Sequence, residues 1–302
     1  MTTRVVEVLS TGPQLTVQDL GRRGLAAWGI GRGGAADRGS LRLANRLVGN
    51  HEGAAAFELL LGGAALRFGT GAVVAATGAV GPFTVDRAPG RGHGPQWVPP
   101  GATIRFGTPP TGLRSYLAVR GGLATEVLVG SRSTDERSGI GRSPKTGDIV
   151  DLGSENESFP AVDSAATPRW PTGEVELRAI LGPRDDWFTD ASLERFAAST
   201  YAVEAASDRV GVRLSGPPLE RRTDAELRSE PTIRGAIEVP GDGLPIVFGA
   251  DHPTTCGYPV VAVLDSDSAD RAAQCRPGQP VRFVLSRPSV RRWSTTNGAD
   301  PR

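Results

Sequence analysis

The sequence predicts a mainly β protein with a few short helices, arranged as two β-rich lobes, and three observations carry that expectation. Glycine (40) and proline (24) are abundant in the 302 residues, which favours many short strands and turns over long helices. Only three segments show helical spacing behind a capping residue. The rest divides into short β-rich runs between Gly or Pro punctuation, with one polar, aperiodic stretch near the middle.

In the first half, Val5–Leu9, Phe57–Leu61, Ala72–Ala76 and Tyr116–Val119 are the strand runs. Asp37 is a good N-cap, followed by Leu41, Ala44 and Val48 at helical spacing and by Gly49 as a stop. Gly153 to Gly173 is polar and Pro-containing and reads as a linker. The expected division is therefore a lobe over 1–152, a linker over 153–173, a second lobe over 174–289 and a loose tail over 290–302. In the second half, Val175–Ile180 and Ile246–Phe248 are strand runs. A helix starts near Thr189, with Phe188 and Leu193 placed as a hydrophobic staple. A third helix runs from about Asp267 to Gln274, before Pro277-Gly278. Ala65-Leu-Arg-Phe68, Thr103-Ile-Arg-Phe106 and Pro280-Val-Arg-Phe283 share one alternation, apolar residues on one face and Arg on the other. That recurrence suggests two related halves.

Composition narrows the function. Hydrophobic residues make up 38% and charged residues 22%, enough for a sizeable core. The net charge of +1 offers no basic field for a phosphate backbone, so nucleic acid is not an expected partner. Cys256 and Cys275 form no metal-spaced pair, and His51, His93 and His252 fall in no zinc motif, so no metal is expected. The start of the chain has no apolar signal core, and nowhere are there 18 consecutive apolar residues. We therefore expect a soluble, cytoplasmic protein with no membrane partner.

The candidate site centres on Asp251-His-Pro-Thr-Thr-Cys-Gly-Tyr-Pro259, a stiff, hydroxyl-rich loop between two strand-like runs. His252 and Tyr258 are acid–base or hydrogen-bonding candidates, set against the ordinary alternatives of a surface histidine and a ring packed on Pro259. Cys256 lacks a cationic neighbour beyond His252, which makes it a poor nucleophile. Gly130-Ser-Arg-Ser-Thr-Asp135 could hold an anion or a carbonyl, or use the same hydroxyls in local turns. Asp37 is either an N-cap or a catalytic acid, and its glycine-rich approach would let a ligand reach a helix N-terminus. Gly29-Ile-Gly-Arg-Gly-Gly34 fits a dinucleotide fingerprint only on paper, because no βαβ pattern surrounds it. No Walker loop, serine elbow or metal cluster is present. The chain looks like one part of a site that another chain completes.

Several runs together resemble a known family. They are Leu15-Thr-Val-Gln-Asp-Leu-Gly21, Gly34-Ala-Ala-Asp37, Leu43-Ala-Asn-Arg-Leu-Val-Gly-Asn50, Ser115-Tyr-Leu-Ala-Val-Arg-Gly-Gly122, Gly130–Asp135, Gly182-Pro-Arg-Asp-Asp-Trp-Phe188, Ser207-Asp-Arg-Val-Gly-Val-Arg-Leu214 and the Thr254–Pro259 loop. In order, over about residues 5 to 285, they resemble the C-type subunit of bacterial 5-oxoprolinase, also called allophanate hydrolase subunit 2. That family is similar to half of the carboxyltransferase domain of urea carboxylase. The family usually has Ser-Gly-Ala-Met-Asp at Gly33–Asp37, Asp-Arg-Gln at Asp251–Pro253 and Thr-Thr-Gly-Gly-Tyr-Pro at Thr254–Pro259. This chain departs at all three.

The resemblance implies a C-terminal cyclophilin-like β-barrel. It also implies a direct partner, the B-type subunit (allophanate hydrolase subunit 1). An A-type subunit would complete ATP-dependent opening of 5-oxoproline, a cyclic amide, to glutamate. No cofactor is then expected on this chain alone, and ATP is used by the complex. Two other readings follow from it. One is the carboxyltransferase half of a biotin-dependent, urea carboxylase-like system. The other is a non-catalytic regulatory partner of a B-type subunit that resembles a kinase inhibitor. For the enzyme, Asp37, Asp135 and Tyr258 are the expected catalytic residues. Ser133, Thr134, Asp251, His252, Thr254 and Thr255 are the expected substrate-binding residues, the hydroxyls orienting a carbonyl while an Asp accepts the amide proton.

Overall fold

The computed structural model describes residues 4–155, 158, 160, 162, 164–223 and 225–286. The expected tail from 290 lies outside them. Strands between Val5 and Asp151 build two sheets, and the remaining strands build a barrel with a small two-stranded sheet beside it. The first sheet runs in the order Ile149–Asp151, Val5–Thr11, Ala64–Phe68, Thr103–Phe106, Phe83–Val85, Ala88–Pro89. The second runs Gln14–Gln18, Ala56–Leu60, Arg114–Val119, Ala72–Gly78, Pro95–Val98.

The alternation read in the sequence decides which faces meet. Val6, Val8, Leu66, Phe68, Ile104 and Phe106 from one sheet close on Val17, Phe57, Leu59, Leu117 and Val119 from the other. Burial of each such side chain contributes about 1.5–3 kcal/mol. Arg67 and Arg105 fall on the opposite, exposed face. Of the three aliphatic–Arg–Phe strands, two are neighbours in one sheet and the third, Pro280–Ser286, belongs to the barrel.

Helix α1 (Arg38–Leu47) covers the outer face of the second sheet, with Leu41, Ala44 and Leu47 against Ala56, Ala75, Tyr116 and Ala118. Arg114–Val119 is therefore buried at every position rather than at alternate ones. Asp37 caps α1, its Oδ1 accepting from Ser40 N at 2.9 Å. Helix α2 (Asp190–Ala198) starts behind Thr189, whose hydroxyl accepts from Ser192 N. Helix α3 (Ser266–Ala272) starts behind Asp265, one residue before the expected start.

Val175–Leu181, Val260–Leu264, Ala236–Glu238, Ile246–Phe248, Gly211–Ser215, Thr200–Val203 and Pro280–Ser286 form a closed barrel, as the resemblance led us to expect of this half. It closes by parallel pairing of Val175–Leu181 with Pro280–Ser286. Its core stacks Phe196 on Phe283 at 4.7 Å between ring centroids, with Tyr201 edge-on to Phe196. Among the described residues no helix is long and apolar enough to cross a membrane.

The barrel docks on the N-terminal sheets through hydrogen bonds at the end of α3. Gln274 accepts from Leu113 N and Arg114 N and donates to Arg114 O. Arg276 donates to Gly112 O and Pro109 O. This seam positions the candidate site.

Candidate functional site

The hydroxyl-rich loop spans the gap between barrel strands Ile246–Phe248 and Val260–Leu264. Its stiffness has a cause beyond its prolines. Thr255–Cys256 pairs antiparallel with Glu230–Pro231, and Thr232 N donates to Thr254 O. That small sheet leaves Thr255 and Tyr258 exposed, Tyr258 by 46%, while Thr254 and His252 are half-buried. His252 Nδ1 lies 2.8 Å from Pro253 O, so the Nδ1–H tautomer donates there and leaves Nε2 as an acceptor. Burial, reinforced by Arg38 and Arg234, pulls its pKa below the ordinary value, which keeps the ring neutral near pH 7. Cys256 donates its thiol proton to Glu238 Oε2 at 2.8 Å. Burial and that carboxylate push the thiol up to about 11, so it is no nucleophile at neutral pH.

The Gly130–Asp135 run folds back toward this loop. Leu128 and Ser131 exchange backbone hydrogen bonds around a turn with Val129 at φ 53°, a conformation a β-branched residue adopts only under constraint. Asp19 supplies the constraint, accepting from Ser131 Oγ, Arg132 N, Ser133 Oγ and Gly21 N. Arg22 adds to it, donating to Leu128 O and Ser133 O. The hydroxyl of Ser133 is thus committed to the local turn. Thr134 is buried, with its backbone N–H bonded to Val17 O.

Asp135, two per cent exposed, accepts from Ser138 N through one carboxylate oxygen and places the other beside the glycine-rich loop. The glycine-rich loop closes on it from the other side. A Cβ on Gly31 would lie 3.6 Å from His252 O and 3.9 Å from Asp135 Oδ2. One on Gly33 would lie 3.5 Å from Arg22 Nη1 and 3.7 Å from Asp251 Oδ1. The structure therefore gathers Asp135, Asp251 and His252 around Gly31 and Gly33, with Thr254, Thr255 and Tyr258 further along the same loop.

Beneath them lies a buried ion network. Arg209 donates to Asp251 Oδ2 at 2.7 Å, to Asp251 Oδ1 at 3.0 Å, to Glu58 Oε1 and to Gly34 O. Glu58 also accepts from Tyr116 Oη at 2.8 Å and Ala36 N at 3.0 Å, with Arg114 at 3.5 Å. Burial alone would raise Glu58, but Arg209 and Arg114 outweigh it and hold the carboxyl below its ordinary range. Burial keeps Asp251 above its ordinary value in spite of Arg209. Asp251 is thereby fixed to the barrel loop carrying Arg209 and, through it, to the N-terminal sheets.

Asp37 stands apart from this group. Its Oδ2 accepts from Ser40 Oγ at 2.6 Å and Gln274 Nε2 at 2.7 Å, and it lines a separate cavity beside α3. The first N–H groups of α1 are also occupied. Asp270 of the barrel accepts from Arg38 N at 3.0 Å and Gly39 N at 2.9 Å. Two carboxylates therefore fill the helix terminus, which takes no phosphate or other anion. Among the described residues no three His, Cys, Asp or Glu side chains are placed to hold a metal ion.

Sequence reasoning passed over Asp19, Arg22, Glu58, Arg209 and Glu238. Glu58 carried a legible signal, a charge inside the apolar run Phe57–Leu61, which is tolerated only with a buried partner. Asp19 and Arg209 lay inside runs already singled out, and only the fold shows what they hold.

Residues 28–285 match the carboxyltransferase domain, subdomain A and B. The chain is 36% identical over 288 residues to the 5-oxoprolinase C subunit of Escherichia coli (strain K12), covering 93% of this chain and 91% of that protein. Among solved structures, the K. lactis urea amidolyase superposes with a TM-score of 0.88 at 30% identity, over 94% of this chain and 19% of that one. TTHA0988 superposes with a TM-score of 0.85 at 33% identity, and this chain spans 56% of its length. A match across the sheets, the seam and the barrel together leads to one conclusion: the chain belongs to the carboxyltransferase domain A/B family, alongside the 5-oxoprolinase C subunits.

Proposed function

We propose that this chain is the C-type subunit of an ATP-dependent 5-oxoprolinase complex, acting with a B-type subunit in direct contact and an A-type subunit. The observation that carries the reading is the meeting of Asp135, Asp251 and the His252–Tyr258 loop around Gly31 and Gly33, where an added Cβ would already touch these groups. A lactam needs a base for its N–H and donors for its carbonyl oxygen. In this reading Asp135 Oδ2 accepts the N–H, and Tyr258, Thr254 and Thr255 donate toward the carbonyl. His252 Nε2 offers a neutral acceptor, and Asp251 anchors the loop. Ser133 and Thr134 hold Asp135 in place. Asp37, engaged with Ser40 and Gln274, stays outside the reacting group. Hydrolysis breaks the ring C–N bond: one water gives its oxygen to the carbonyl carbon, and the departing nitrogen takes a proton from that water and keeps its own as Asp135 releases it. A second water ends on the phosphate of the ATP cleaved by the complex in the same turnover.

Because Tyr258 and Thr255 are exposed, the site is open on one side, which supports completion by another chain. That this chain spans 56% of TTHA0988 supports the same view. ATP is assigned to the complex rather than to this chain, in keeping with the filled helix terminus at Asp37. A cytoplasmic location fits a reaction that consumes ATP. Similarity to urea amidolyase supports a second reading, transfer of a carboxyl group from a biotin carried by another chain. Reconstitution separates the two. Glutamate release from 5-oxoproline that requires the A-type and B-type subunits together with this chain establishes the first, and a three-chain complex without turnover would overturn it.

A further inference from the structure

The charges around His252 do not balance. Arg32 follows Gly31, where an added Cβ would lie 3.6 Å from His252 O and 3.9 Å from Asp135 Oδ2. Arg234 reaches the same corner from the barrel, since Thr232, two residues before it, places its Oγ1 3.2 Å from His252 Nδ1. The Arg234 guanidinium donates to Ala36 O and to Asp270 Oδ1, both at 2.6 Å. Arg38 opens α1 beside it, with its backbone N–H bonded to the same Asp270 oxygen at 3.0 Å. Arg234 has Asp270 as its counter-charge, and Arg42, further along α1, has Glu52 at 3.7 Å. Arg32 and Arg38 are left over. Arg32 Nε donates to Leu20 O at 3.2 Å, Arg38 Nε is buried with no acceptor, and neither guanidinium has a carboxylate partner among the described residues.

Burial, and then Arg234, Arg32 and Arg42, push Arg38 down to about 9, and Asp270 offsets only part of this. Arg38 and Arg234 also act on His252, so the excess of positive charge faces the loop of the candidate site. Arg32 and Arg38 both remain half-buried rather than closed off, which leaves them within reach of an anion from solvent. The lactam reading says which anion. In 5-oxoproline the ring carbon bonded to nitrogen bears a carboxylate. A molecule whose N–H meets Asp135 therefore brings a second negative charge close to the first, and the two repel strongly where water is scarce. A guanidinium offsets that repulsion, and its planar fork matches a carboxylate in two parallel hydrogen bonds. We propose, resting on the lactam reading, that Arg38 and Arg32 form the carboxylate-binding side of the candidate site and select an anionic lactam over a neutral one.

The test is an NMR titration of the full chain at constant ionic strength, following the imidazole signal of His252, assigned by its loss in His252→Gln. The ligands are 5-oxoproline, the neutral lactam 2-pyrrolidinone, glutarate and inorganic phosphate. The expected result is a saturable shift with 5-oxoproline, and binding at least about tenfold weaker for 2-pyrrolidinone and for phosphate. Arg38→Gln should weaken 5-oxoproline at least about tenfold and Arg38→Lys by less, because the lysine keeps the charge without the fork. Arg46→Gln, exposed in the last turn of α1, should leave it unchanged. The Arg38 side chain makes no hydrogen bond among the described residues, so its variants keep the fold, and an unchanged Tm confirms that. Equal binding of 2-pyrrolidinone, or 5-oxoproline binding that survives Arg38→Gln, overturns the proposal and leaves the lactam reading standing. Binding of glutarate but not of 5-oxoproline, weakened by Arg38→Gln, keeps the carboxylate site and removes the lactam reading. Phosphate that binds more tightly than either carboxylate, or no saturable shift with any ligand, overturns the proposal.

Discussion

Arg209→Met removes the guanidinium that joins Glu58 of the N-terminal sheets to Asp251 of the barrel loop, while keeping much of the side-chain volume. Both carboxylates are nearly inaccessible, 2% and 7% exposed, so neither can turn to water for compensation. Breaking a buried ion pair from one side costs about 3–5 kcal/mol. Arg114, 3.5 Å from Glu58, stays in place and puts the expectation at the lower end, about 3 kcal/mol. At about 2 cal/mol/K of unfolding entropy per residue, a chain of 302 residues loses about 5 °C in Tm.

The pH dependence has a fixed sign. Glu58 is held below its ordinary value, so its contribution is present above pH 4.5 and lost as the pH falls below it. The variant's carboxylates can relieve themselves by taking up protons, so its deficit should shrink between pH 7.5 and pH 4.5. Thermal melts by circular dichroism at the two pH values provide the assay. A second variant, Arg209→Met with Asp251→Asn, removes one of the two stranded carboxylates while Glu58 keeps Arg114, and should recover about half of the loss. A Tm within 1 °C of the parent at pH 7.5, or a deficit that ignores pH, would refute the argument.

Other expectations follow from the same structure. Asp19→Ala removes the acceptor for four donors and should cost about 2–4 kcal/mol, with new proteolytic cleavage near Val129 as the local readout. Burial, and then Asp270, raise Asp37 to about 6 from 3.8. The native state therefore holds a proton that the unfolded chain has released, and this contribution is full below about pH 4 and lost as the pH rises through about 6. Urea titrations from pH 4 to 7 should show that slope in the parent and lose it in Asp37→Asn. Cys256, with its thiol at about 11, should react with iodoacetamide at pH 7.5 about a hundredfold more slowly than a free cysteine. Phe283→Ala takes a ring from the stack with Phe196 and should cost about 3–5 kcal/mol, measured by urea unfolding.

Much of the fold was legible because it follows from local chemistry. Asp37 and Thr189 cap helices where their side chains reach the N3 backbone N–H, and that geometry needs only neighbours in sequence. The alternation of Ala65-Leu-Arg-Phe68 and Thr103-Ile-Arg-Phe106 likewise announces which face is buried. The same recurrence misled as evidence for two related halves. Any strand with one buried face and one wet face yields that pattern, and here two copies are adjacent strands of one sheet.

The candidate site was legible by residue type and not by arrangement. The spacing of Ser131, Ser133 and Asp135 cannot show that Asp19, more than a hundred residues away, takes both hydroxyls and leaves Asp135 beside Gly31. Nor could the glycine-rich approach to α1 reveal that Asp270 of the barrel already occupies the helix terminus. Both are long-range pairings fixed by how the barrel docks, and the single sequence carries no trace of that docking.

The most direct test of the functional account is ATP-dependent glutamate release from 5-oxoproline by this chain with its A-type and B-type subunits, comparing the parent with Asp135→Asn. The account predicts turnover that needs all three chains and falls at least a hundredfold in Asp135→Asn, with complex formation and Tm unchanged. Glutamate release that proceeds without this chain, or at the parent rate with Asp135→Asn, would contradict it.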